Sequence, residues 1–129
     1  MVFMKKKTGY LLMTLLLLTA FIVGCIDGEE VAAGIEVGTV DLREVSDGQY
    51  IGEYQPNKLV QAVVEVEVKN HSLTEIKLVE HDNWRGGKAE VIPERVLEAQ
   101  SLEVDTVSGA TVSSKTILKA VEIALKKGI

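Results

Sequence analysis

The chain has 129 residues, 47% of them hydrophobic and 26% charged, with a net charge of −5. That length allows one small domain with a modest core. The acidic balance weighs against nucleic acid or anionic lipid headgroups as binding partners, because both select positive surface.

Lys5, Lys6 and Lys7 precede the stretch from Tyr10 to Val23, which has no charge over 14 residues. A short apolar run after lysines, ending in small residues, reads as a cleaved signal; a spanning helix needs about 20 apolar residues. Ile22-Val23-Gly24-Cys25 resembles the lipobox of bacterial or archaeal lipoproteins. Cys25 is the only cysteine. Acylated there, the protein would gain two or more chains, enough for stable anchoring, and would keep no thiol for a disulfide or a metal. The expectation is a signal peptide over 1–24, an acidic, glycine-bearing tether over 25–36 and one domain over 37–129, held at the outer face of the cytoplasmic membrane. Removing 1–24 takes away three lysines and no acid, which moves the net charge from −5 to −8.

Val37 to Glu44 is expected as a first strand. Asp47-Gly48 reads as a hairpin-type turn and Gln49 to Tyr54 as a second strand, broken by Pro56-Asn57. Leu59 to Lys69 is the clearest strand. Val60, Ala62, Val64, Val66 and Val68 alternate with Gln61, Glu65, Glu67 and Lys69, so one face is buried and the other wet. Asn70-His71 supplies a turn, and Leu73 to His81 returns antiparallel, with Ile76 and Leu78 facing the same core. After Gly86-Gly87, Ala89 to Ile92 gives one turn, and Pro93 opens a helix to Ala99 with Val91, Val96 and Leu97 inward. The last helix runs from Ser113 or Ser114 to Lys127. Ile117, Leu118, Val121, Ala124 and Leu125 form its apolar stripe, while Lys115, Lys119, Glu122 and Lys126 stay wet. Strands followed by helices indicate an α+β fold, a small antiparallel sheet packed against C-terminal helices.

Ahead of that last helix lies Asp105-Thr106-Val107-Ser108-Gly109-Ala110-Thr111. Ser108 and Gly109 fit a tight turn, and Thr111, Ser113 and Ser114 are all acceptable caps. Read by spacing alone this is a helix cap first and a phosphate site second, since a helix N-terminus favours anions. The seven residues, however, resemble the flavinylation signature of the FMN-binding domain family, which is shared with subunits of the sodium-pumping NADH:quinone reductase. Asp47-Gly48-Gln49-Tyr50-Ile51-Gly52 resembles the opening of small members of that family, and the likeness covers the chain from 47 onward. The resemblance implies FMN bound covalently by a phosphoester to Thr111, with Asp105, Ser108, Gly109 and Ala110 as the sequence recognised by an extracytoplasmic flavin transferase. That enzyme uses FAD and a divalent metal. His81-Asp82-Asn83-Trp84-Arg85-Gly86-Gly87 departs from the family pattern, in which an acidic residue, Thr or Ser, and Pro-Gly follow the third strand.

Trp84, the sole tryptophan, reads as a core or partner-facing residue before it reads as a ring stacked on isoalloxazine. His81 reads as a strand-end or solvent-facing residue before it reads as a proton-handling one. Glu65 and Glu67 read as a solvated strand face. No histidine pair, catalytic triad order, P-loop or Rossmann glycine pattern points to a metal site or to a catalytic set. The leading expectation is a membrane-anchored flavoprotein that passes electrons between redox partners or to an external acceptor. The alternatives are a flavin-dependent reductase of a small acceptor and a scaffold lipoprotein without flavin.

Overall fold

A computed structural model describes residues 31–82 and 87–129. The signal 1–24, Cys25 and Trp84 lie outside these described residues. Three strands form an antiparallel sheet in the order β1 (Gly48–Tyr54), β2 (Gln61–Lys69) and β3 (Ser72–Asp82). The β2–β3 connection is Asn70-His71, both with positive φ (51° and 62°), as a two-residue primed hairpin requires. Asp47 makes no hairpin of its own. It leads into β1, and its carboxylate accepts from Asn70 N–H at 2.9 Å, which secures the neighbouring hairpin.

Ala62, Val64, Val66 and Val68 of β2 are fully buried, as the alternation predicts. They face two helices, α1 (Ile92–Ala99) and α2 (Thr111–Lys126), so the α+β expectation holds. A 3-10 turn over Gly87–Val91 precedes α1 and packs on α2. Gln100 ends α1 in the left-handed conformation and clips it to the start of β3. Its side-chain oxygen accepts from Leu73 N–H at 2.7 Å, and its amide donates to the Leu73 carbonyl at 2.9 Å.

α2 lies directly on β1 because Gly52 has no side chain. A methyl group there would overlap the Ala120 carbonyl oxygen and sit 2.7 Å from Ala124 N. Near the C-terminal end of α2, Glu122 is 2% exposed, not wet as its position in the polar stripe suggested. The preceding segment explains this. Residues 37–41 form no strand; they run beside α2, and Asp41 caps a 3-10 turn at Leu42–Glu44. Val37, Val40 and Leu42 pack against the core, and the segment covers Glu122. Burial alone would push the Glu122 carboxyl up. Lys126 at 2.7 Å, Lys119 at 2.9 Å and the Gly38 N–H outweigh it and hold the group below its usual range.

One further expectation fails. Val91 is 42% exposed, and Ile92 takes the inward place, because the tighter 3-10 winding before α1 rotates Val91 outward. Val96 is buried and Leu97 partly so.

Candidate functional site

The contact of Gly52 with Ala120 and Ala124, and of Tyr50 with Gly128, sets α2 antiparallel to β1. Thr111 therefore lies toward the end of the sheet where β1 stops at Tyr54. Tyr54 pairs with Ala62, and Ala62 pairs with His81, so the same end carries the last residues of β3. Glu90, in the 3-10 turn packed on α2, joins them.

The approach to Thr111 is built from local chemistry. Val107 to Ala110 form a turn closed by Ala110 N–H donating to the Val107 carbonyl at 2.9 Å. Gly109, third in that turn, has φ +81°, a value disfavoured for residues with a Cβ. The space around it is open: an added Cβ would meet nothing within 4 Å. Ser114, fully buried, holds the turn onto the helix. Its hydroxyl accepts from Val107 N–H at 3.0 Å and donates to the Ala110 carbonyl at 2.7 Å.

α2 begins at Thr111, earlier than Ser113 or Ser114, and the cap residue is Ala110. Alanine has no side-chain acceptor, and the first turn holds no acid. The first helical bond is Ser114 N–H to the Ala110 carbonyl. The N–H groups of Thr111, Val112 and Ser113 thus have no helical partners, at the positive end of a 16-residue helix. Thr111 itself is half-buried, while Ser108 and Gly109 are exposed.

Asp105 is exposed, and its carbonyl accepts from the Arg95 guanidinium at 3.0 Å. The irregular segment that carries the signature residues is thereby pinned to α1. Lys115, one turn beyond Thr111 on the same helix face, reaches the Ala32 carbonyl at 2.9 Å. Arg95 is thus held beside the signature at Asp105, and Lys115 sits one turn into the helix whose start favours anions. Asp105, Ser108, Gly109, Ala110 and Thr111 lie on the single segment that leads into α2.

His81 departs from its expected place. Its side chain is only 2% exposed, with Nδ1 3.5 Å from Glu90 Oε1, and neither ring nitrogen makes a hydrogen bond among the described residues. Leaving a buried polar atom unmet costs about 1–3 kcal/mol. The cause of its burial is a β-bulge. Val64 pairs with Leu78 but Val63 with Glu80, which leaves Val79 as the extra residue. Beyond it the alternation reverses, so Glu80 faces outward and His81 turns to the Ala62 side. Glu65 and Glu67 lie on the uncovered sheet face with Gln49, Glu75 and Lys77. Among the described residues no group of three or more His, Cys, Asp or Glu could hold a metal.

These features fit a phosphate-bearing flavin: a half-buried threonine at a helix start without a side-chain cap, open space at Gly109 and a buried imidazole unmet among the described residues. Residues 58–126, over half of the chain, match the model of the FMN-binding domain. That span contains β2, β3, both helices and the whole of 105–111. No curated protein matches the chain.

Proposed function

The chain belongs to the FMN-binding domain family and is an FMN-binding flavoprotein, and from that premise we propose that FMN is esterified to Thr111 and that the protein is a lipid-anchored, extracytoplasmic electron carrier. The observation that carries this reading is Thr111, half-buried at the first position of α2, where the backbone amides have no helical partners and no side-chain cap among the described residues. An ester at that oxygen keeps the remaining phosphate charge at the helix start, where the first-turn N–H groups and the positive end of the helix offset it.

The flavin supplies the redox chemistry when bound; the protein sets its position and exposure. Thr111 would supply the bonded oxygen and lose its proton, while the transferase breaks the P–O–P bond of FAD and AMP departs with the bridging oxygen. The turn at Ser108-Gly109 leaves the backbone beside it open to a transferase, and Asp105, Ser108, Gly109 and Ala110 are the residues that enzyme would read. The attached cofactor cannot diffuse away outside the cell. Cys25 is the proposed anchor, Trp84 a proposed stacking residue, and redox proteins or an external acceptor the proposed partners. Nucleic acid is not among them, given the −5 charge.

Intact mass of the exported chain, co-produced with an active flavin transferase, tests the attachment. The expected gain is one FMN less one water in the native chain and none in Thr111→Ala. An unmodified native chain under those conditions overturns the reading.

A further inference from the structure

Among the described residues, the buried side-chain polar atoms lacking hydrogen bonds are the two His81 ring nitrogens and Glu122 Oε2. Glu122 Oε2 has a lysine ammonium 2.9 Å away. His81 has only the Glu90 carboxylate at 3.5 Å, and its ring lies on the core side of the sheet at the Thr111 end. A buried imidazole with free capacity at the end that carries an uncapped helix start points to a ligand group that the protein alone does not provide.

We propose that His81 is a polar contact for the isoalloxazine ring of FMN bound at Thr111, its Nε2 accepting a hydrogen bond from the imide N–H of that ring. This rests on the covalent-FMN reading above. The phosphate is not the group His81 meets, because the Glu90 carboxylate beside Nδ1 repels an anion. The same carboxylate favours the tautomer with the proton on Nδ1, which leaves Nε2 as an acceptor. The isoalloxazine is a flat, largely apolar ring with one polar edge, a combination that suits a lone polar group among apolar neighbours, and Ala62, the partner of His81 on β2, is apolar and fully buried. The 3-10 turn that carries Glu90 also packs on α2, so one short segment links the imidazole to the helix that holds Thr111. His81 acts on the flavin by direct contact, while Glu90 acts through His81 as a positioning residue.

The test compares the full native chain made with and without the transferase, labelled with 15N-histidine. Loading should move the Nε2 resonance of His81 while that of exposed His71 stays in place. In loaded protein, His81→Leu should shift the flavin midpoint potential, and His81→Gln, which keeps an acceptor, should return it toward the native value. Unchanged His81 nitrogen resonances on loading overturn the proposal, and they can be read in the native chain even if a variant fails to fold. A native chain that takes no FMN overturns the covalent reading and this proposal together, whereas a loaded chain with unmoved resonances overturns this one alone.

Discussion

The two ends of α2 are built on opposite principles. At the C-terminal end the backbone sits on Gly52, the Glu122 carboxylate is met by two lysines and a backbone N–H, and Ser46 N–H donates to the Gly128 carbonyl at 2.9 Å. At the N-terminal end the cap is an alanine, three amides have no helical partners and a glycine with positive φ stands in open space. One end is closed by its own chain, while the other carries no side-chain cap. On the proposed reading, stability and binding are separated along a single 16-residue helix.

That separation can be broken most severely at Gly52. Gly52→Ala forces the helix off the sheet, and we expect a loss of ~3 kcal/mol in urea unfolding. Glu122→Gln should cost about 2 kcal/mol at neutral pH, the order of a hydrogen-bonded charge. Because the folded carboxyl lies below its unfolded value, its contribution is complete above the ordinary Glu range near 4.3 and fades as the pH falls through the folded value. The difference between native and Glu122→Gln midpoints should therefore shrink between neutral pH and acid, and a constant difference would refute the assigned charge state.

At the open end the effects on folding should be smaller. Gly109→Ala has room for its methyl group but not the right backbone, and should lower stability by about 1 kcal/mol in thermal melts. Thr111→Ala should change stability by no more than ~0.5 kcal/mol. Its effect should appear instead as lost in-gel flavin fluorescence. If Thr111→Ala unfolded the domain as badly as Gly52→Ala, the contrast between the two ends would be false.

Much of the fold could be read in advance because β2 alternates without interruption and the apolar stripe of α2 keeps its helical period. Both signals are local. What escaped reading depends on contacts distant in sequence. Glu122 looked like a surface acid until residues 37–41 lay across it, and those residues looked like a strand because nothing in their own pattern announces the helix they accompany. Val91 followed a helical period that the 3-10 turn does not keep. At the candidate site, the order Asp105 to Thr111 singles out one hydroxyl in the sequence, and the i,i+4 spacing of Thr111 and Lys115 was present to be noticed. The burial of His81 had no comparable signal, since a bulge at Val79 is a property of the pairing with β2 and not of β3 alone.

Gln100 has a consequence for solubility. β3 is an outer strand, and such strands offer unpaired backbone groups that recruit other chains. The carboxamide of Gln100 satisfies both the N–H and the carbonyl of Leu73, as a segment of foreign polypeptide would. A single side chain thereby imitates a neighbouring strand and blocks that position against intermolecular growth. Replacing it with leucine would re-expose the pair and make self-association begin there.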